Sequence, residues 1–377
     1  MPESAQPLFP DAVDEERAAT GILPAQQIRA LVRKHYISAA VEIGEELIQP
    51  ASLDLRLGPR AHRIRASFLP GSEATVEDKI AQFATHDFSL TDGAVLERGC
   101  VYVVKLLEHV RLTKDLSGTA NPKSSIGRLD IFTRLITDNA SEFDQVRAGY
   151  EGPLYAEISP LTFSVKVRQG TRLSQLRLIR GKPRMAGTET RALLDALGQD
   201  DPYRGGSAVS VNLRGSKDSK FIGYRARKHT PPVDVDAKGS YEAKEFWEPV
   251  EADTTGGMIL VPDDFYILAS REAFRVPPGH AAEMVAYDTL VGEFRVHYAG
   301  FFDPGFGHEE AGGKGTRAVL EVRSHEVPFV IEHGQIVGRL LYERLSAEPD
   351  KLYGKAIGSS YQNQGLALGR QFRPYQR

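Results

Sequence analysis

The chain repeats itself at an offset of about 164 residues, and a duplication of that length fixes the architecture before any local motif is read. Tyr102-Val103-Val104 returns as Tyr266-Ile267-Leu268, and Tyr155-Ala156-Glu157-Ile158 returns as Val319-Leu320-Glu321-Val322. The spaced Gly170, Leu173 and Leu176 return as Gly334, Val337 and Leu340. The copies diverge where polar residues gather. Lys123-Ser124-Ser125-Ile126-Gly127-Arg128 in copy 1 faces Tyr287-Asp288-Thr289-Leu290-Val291-Gly292 in copy 2. Conversely, Ala299-Gly300-Phe301-Phe302-Asp303-Pro304-Gly305-Phe306 in copy 2 faces an eroded Phe143 to Tyr150 in copy 1. Each copy keeps the better half of a site.

A length of 377 residues suits two domains, each large enough to enclose a core. The net charge of −3 argues against a general binder of nucleic acid, so any phosphate affinity must be local. A single cysteine, Cys100, rules out an intrachain disulfide framework and a cysteine-rich zinc site. No apolar run is long enough to span a membrane, and the first twenty residues lack the apolar stretch of a signal peptide. A cytoplasmic protein is the expectation.

Along the chain, residues 1–20 read as a flexible tail. Ile28, Leu31, Val32 and His35 have helical spacing within Leu23 to Tyr36. Copy 1, residues 21–180, is otherwise strand and turn, as in the alternating Ser52-Leu53-Asp54-Leu55-Arg56-Leu57. A connector over 181–206 holds one helix, with Thr188 as a cap and Gly198 as the stop. Copy 2 spans 207–345 and opens with Ser210-Val211-Asn212-Leu213-Arg214, the expected counterpart of Ser52 to Arg56. Residues 346–377 are polar and rich in glycine and glutamine, without an apolar face of their own. Two mostly-β domains with short strands follow.

Three constellations carry chemistry. Lys123 to Arg128 combines cations, hydroxyls and a glycine turn, the parts that phosphate recognition needs; an ordinary polar turn with a solvated arginine has the same composition. Glu157 and Glu321 lie within alternating strands, where a carboxylate is rigidly placed for general-base work, or simply faces solvent. Asp303, in an Asp-Pro-Gly turn between aromatics, can meet a sugar hydroxyl or serve only the turn. No Cys-x-x-Cys, Walker loop, Gly-x-Gly-x-x-Gly or Gly-x-Ser-x-Gly is present.

Together these pieces resemble the dCTP deaminase branch of the trimeric dUTPase-like superfamily. Gln49-Pro50-Ala51-Ser52-Leu53-Asp54-Leu55-Arg56-Leu57-Gly58 is similar to its opening strand, Lys123 to Arg128 to its phosphate and catalytic motif, and Ala299 to Phe306 to its hairpin. Arg317 to Val322 and Gly334 to Leu341 are similar to its later strands, and Tyr353 through Tyr361-Gln362-Asn363-Gln364-Gly365 to its C-terminal lid.

The resemblance implies two tandem dUTPase-like distorted β-barrel (β-clip) domains with short peripheral helices. It implies zinc-free hydrolysis of dCTP to dUTP and ammonia, with Mg2+ accompanying the triphosphate. Glu321 is the implied general base, with Glu157 its competitor. Lys123, Ser124, Ser125, Ile126, Gly127 and Arg128 form the implied phosphate and base-edge lip, and Asp303 makes the sugar contact. If copy 1 motifs instead stay together, Asp144 takes that contact. Tyr353, Lys355 and Gln364 belong to the implied lid over residues 346–377. The family's three-fold assembly implies a homo-oligomer of three chains and six domains, in which copy 1 touches copy 2. A dUTPase, a bifunctional enzyme releasing pyrophosphate, and a non-catalytic nucleotide-binding regulator stay open.

Overall fold

The computed structural model describes residues 19–199, 206–215, 220–253, 256–286, 294–297, 300–324, 326–354 and 365–375. Both copies are mostly β. In copy 1 the principal strands are β1 (Leu53–Ile64), β2 (Val101–Arg111), β3 (Leu116–Pro122), β4 (Ile131–Thr137), β5 (Gln145–Val146), β6 (Glu151–Pro160), β7 (Val165–Val167) and β8 (Arg172–Arg180). All but β7 form one curved sheet in the order β4-β6-β2-β1-β8-β3-β5. Leu53, Leu55 and Leu57 of β1 enter the core, as the alternation requires, but the intervening Asp54 and Arg56 are buried as well. Arg56 is tolerated there because its Nε and backbone N–H both donate to the Glu108 carboxylate, at 2.7 and 2.8 Å.

Copy 2 comprises β9 (Ser207–Ser210), β10 (Phe221–Ala226), β11 (Val233–Asp234), β12 (Trp247–Glu251), β13 (Phe265–Phe274), β14 (His280–Ala286), β15 (Phe294–His297), β16 (Phe301–Phe302), β17 (Thr316–Ser324) and β18 (Ile336–Arg344). Its two larger sheets run β9-β18-β14-β16 and β12-β10-β13-β17-β15, and a further pair joins Gly257–Leu260 to Phe329–Glu332. The pairing preserves the register of copy 1. Glu157 lies opposite Val103 and Glu321 opposite Ile267, while Leu176 lies opposite Ala120 and Leu340 opposite Met284.

Register corrects one expected correspondence. Leu53 pairs with Leu176 and Ser207 with Leu340, so the counterpart of Leu53 is Ser207. Ser210, not Arg214, occupies the place of Arg56, and its N–H donates to Glu272 as that of Arg56 does to Glu108. Side-chain likeness misaligned the strands by four residues, whereas backbone pairing decides.

The connector helix, Gly187–Leu197, ends at Gly198 in the left-handed conformation (φ 63°), as expected. It begins before Thr188, because Glu189 accepts the Ala186 N–H at 3.1 Å and closes the first turn. The N-terminal helix is shorter than its spacing suggested, Ala25–Arg33, since His35 (φ 58°) turns the chain away. No helix among the described residues is long and apolar enough to cross a membrane.

Part of copy 2 packs into the core of copy 1, while the rest of copy 2 encloses a core of its own. Short β7 pairs in parallel with β11 through Val165–Val233 and Lys166–Asp234. Beside it Phe163, Phe246, Trp247 and Phe372 pack with ring centroids 5.3–6.5 Å apart. A buried Arg323–Asp130 ion pair, with Thr162 bonded to both partners, joins strand β17 to copy 1.

The C-terminal segment differs from its expected character. Residues 365–375 bring apolar groups of their own: Phe372 is buried in the shared core, and Leu366, Leu368 and Tyr375 pack against it. Gln371, fully buried, donates to the Val235 carbonyl at 2.8 Å. The apolar positions are too irregularly spaced to show as a helical or strand face, so the sequence read as polar.

Candidate active site

The copy 1 half of the site begins where β3 ends. Pro122 is the last residue of β3, still opposite Ser174, and after Lys123, whose N–H donates to the Leu173 carbonyl at 2.9 Å, the chain enters one helical turn, Ser124–Gly127. Ile126 anchors this turn in the core, while Ser124 stays exposed. The Lys123 ammonium is paired with Asp54, a carboxylate whose side chain is only 1% exposed and which also has Arg172 at 3.5 Å. The aspartate of the opening strand therefore positions the first residue of the motif. Arg128 is buried, and its Nη1 donates to the Ala367 and Leu368 carbonyls at 3.1 and 3.4 Å. It is no solvated turn arginine: it fastens the C-terminal segment to the motif.

The copy 2 half lies on two elements. After β16 the chain turns through Asp303-Pro304-Gly305-Phe306, closed by the Phe306 N–H donating to the Asp303 carbonyl at 3.1 Å. Gly305 has φ 90°, and a Cβ there would meet the Cβ atoms of Leu352 and Ala311 at 3.0 Å. Phe302 meets Phe306 edge-on at 4.9 Å, and Phe306 meets Tyr353 at 5.6 Å. Glu321 sits in β17, flanked by β13 and β15, and is buried.

These residues face one cleft. Lys123, Ser124 and Arg128 from copy 1 meet Asp303, Arg317 and Glu321 from copy 2, with Tyr353 and Gly365 at the border. The cleft encloses about 710 Å³, open solvent at its mouth included. Burial pushes the Glu321 carboxyl up to about 8, opposed by the Arg128 cation and reinforced by Asp130. Burial likewise raises Asp303 to about 6, against the pull of Arg177 and Lys123. Ser125, Ile126 and Gly127 are buried in the turn and support its exposed serine. Lys355 and Gln364 lie outside the described residues.

In copy 1 the pseudo-equivalent residues have partners within the protein. Glu157 accepts from Arg134 Nε at 3.1 Å, and that guanidinium lies 3.6 Å from the Phe143 ring centroid and 4.7 Å from that of Phe132. Gly118 pairs with Val146 as Ala282 pairs with Phe302, which puts Arg147 where copy 2 has Asp303. Asp144 occupies the place of Gly300, where its carboxylate accepts the Leu135 N–H at 2.7 Å. The alternative pairing of copy 1 motifs thus has an ion-paired glutamate and a turn-bound aspartate.

Sequence reasoning missed Arg177 and Arg317. A signal existed for Arg177: copy 2 has Leu341 at that register.

The family model for the 2'-deoxycytidine 5'-triphosphate deaminase N-terminal domain matches residues 19–182, and that for the C-terminal domain matches residues 184–372. The chain belongs to the dCTP deaminase family. A crystal structure of 2'-deoxycytidine 5'-triphosphate deaminase from Agrobacterium tumefaciens is 55% identical, with a TM-score of 0.83 over 87% of this chain and 99% of that one. A dCTP deaminase of Halorubrum lacusprofundi is 33% identical over 35% of this chain, and a dUMP-forming dCTP deaminase of Beutenbergia cavernae 32% identical over 30%. The matched stretches span 63% and 58% of those two relatives. The dUTPase-like β fold is therefore that of the family.

Because Arg128 serves both the cleft and the C-terminal segment, Arg128→Ala is expected to cut turnover and also to destabilise the fold by about 1.5–3 kcal/mol, the worth of hydrogen bonds from a charged donor. Denaturant unfolding beside steady-state kinetics checks this; unchanged stability with lost turnover would leave only a role in the cleft.

Proposed function

We propose that this protein hydrolyses dCTP to dUTP and ammonia, in the cytosol, at a cleft assembled from both copies of one chain. The observation that carries the reading is the meeting of Ser124 and Arg128 with Asp303 and Glu321, two incomplete halves that complement each other. Glu321 takes a proton from water as its oxygen attacks C4 of the cytosine, and returns it as ammonia leaves. Ser124 and Arg128 hold that water and the base edge. Lys123, the Ser125-Ile126-Gly127 turn and the lid residues Tyr353, Lys355 and Gln364 receive the triphosphate, and Asp303 accepts the 3'-hydroxyl of the deoxyribose. Magnesium enters with the triphosphate, as part of the substrate complex. A three-chain, six-domain assembly would carry three such clefts, each complete within its own chain.

A second reading rests on the dUMP-forming relatives, 32% and 33% identical in the matched stretches. Incubation with dCTP and magnesium, resolving ammonia, dUTP, dUMP and pyrophosphate, separates the two. Ammonia with dUTP supports the proposal. Ammonia with dUMP and pyrophosphate replaces it by the bifunctional reaction. Saturable binding without ammonia reduces the protein to a regulator.

The base must be ionised to work, and the Glu321 carboxyl is held up to about 8. The rate kcat/KM is therefore expected to rise with pH, near tenfold per unit, until it levels at about 8. A profile already flat at about pH 6 would contradict Glu321 as the base in its buried setting.

A further inference from the structure

We infer that Arg177 is a positioning residue, a copy 1 side chain that holds the copy 2 hairpin so that Asp303 meets the deoxyribose as a carboxylate. The inference rests on the assignment of Asp303 to the sugar hydroxyl.

Arg177 projects from β8 and is 0% exposed. Its contacts run along three successive residues of the hairpin. The guanidinium lies 3.9 Å from the Phe301 ring centroid, Nη2 donates to the Phe302 carbonyl at 3.4 Å, and the same Nη2 stands 3.9 Å from Asp303 Oδ1. Nη1 donates to the Ala282 carbonyl on the neighbouring strand at 3.2 Å. A buried cation is costly unless it is paired and hydrogen-bonded, and copy 2 has the half-buried Leu341 at the same register.

The chemistry explains the difference. Asp303 Oδ1 is buried and makes no hydrogen bond among the described residues. Its ionised form therefore depends on surrounding charge. Lys123 and Lys351 favour ionisation and Asp54 opposes it, but Arg177 is the strongest of these influences. Arg128, Arg317 and Glu321 line the same cleft. Glu283 and Glu343 face Arg177 from behind and are themselves raised by burial. Without the Arg177 cation the carboxyl would take up a proton at a higher pH, and a protonated Asp303 loses the charge-assisted bond to the hydroxyl.

The test compares binding of magnesium-dCTP and magnesium-2',3'-dideoxycytidine triphosphate by calorimetry between pH 5.5 and 9. Wild type is expected to prefer dCTP by about tenfold or more near pH 8, the preference fading as pH falls through about 6. In Arg177→Leu the fade should move to higher pH, leaving little preference at pH 7 while dideoxy affinity stays within about threefold; Arg177→Lys should keep most of the preference. A folded Arg177→Leu with the wild-type ratio and pH dependence would overturn the inference, as would equal weakening of both ligands. If Arg177→Leu does not fold, Arg177→Gln against Arg177→Lys carries the same comparison. Asp303→Ala separates the two levels: retained preference there removes the sugar assignment itself. Its loss in Asp303→Ala with retention in Arg177→Leu removes only the role of Arg177.

Discussion

Glu321→Gln is expected to lower turnover of dCTP by about 10²–10⁴-fold while leaving its binding within a few-fold, since glutamine keeps the shape but accepts no proton. The same substitution should stabilise the protein at high pH. A carboxyl held up to about 8 in the folded state, from an ordinary 4.5, is more protonated folded than unfolded. Its contribution to stability is thus fully present below about pH 4.5 and is lost as pH rises through about 8. The gain in melting temperature for Glu321→Gln over wild type should accordingly be larger at pH 8.5 than at pH 5, and equal gains at both would contradict the buried setting of the carboxyl. Glu157→Gln is the control: with its carboxylate engaged by Arg134, this variant should turn over dCTP near the wild-type rate. Loss of turnover there would move the base to copy 1.

Phe372→Ala is expected to cost about 3–5 kcal/mol of stability, the usual penalty for emptying a large buried aromatic site. Phe372 touches Phe163 of copy 1 and Phe246 and Trp247 of copy 2, so the cavity would open at the seam itself. Truncation before Gly365 should be worse, since it also strips Gln371 from Val235 and the two carbonyls from Arg128. Denaturant melts check both; a truncated chain as stable as wild type would show the segment to be a lid only.

Why part of this was legible is a matter of periodicity. The duplication, the strand texture and the order of motifs survive because each copy must pair the same strands in the same register, as Glu157–Val103 and Glu321–Ile267 do. Complementary loss in the two copies pointed to a mixed site, and the cleft brings those halves together. The expected meeting of copy 1 with copy 2 occurs inside a single chain, which no local pattern encodes, because it depends on the aromatic seam and on a C-terminal segment distant in sequence. The choice between Glu157 and Glu321 was equally hidden. Both sit on equivalent strands at the same register, and the distinction comes from Arg134, which lies across the sheet from Glu157 in copy 1. Ser210 and Arg177 teach the same lesson from opposite sides: one stands where a similar sequence misled, the other where a dissimilar one was informative.

The central claim is that one chain builds a whole catalytic cleft from two half-sites. Co-expressing Ser124→Ala and Glu321→Gln chains with separate tags, purifying assemblies that carry both, and measuring ammonia release from dCTP tests it most directly. With the cleft formed within each chain, every site keeps one defect, and activity should stay at the level of the single variants. Recovery of a substantial fraction of wild-type activity in the mixed assemblies would contradict the claim, because only a cleft shared between chains can pair an intact Ser124 with an intact Glu321.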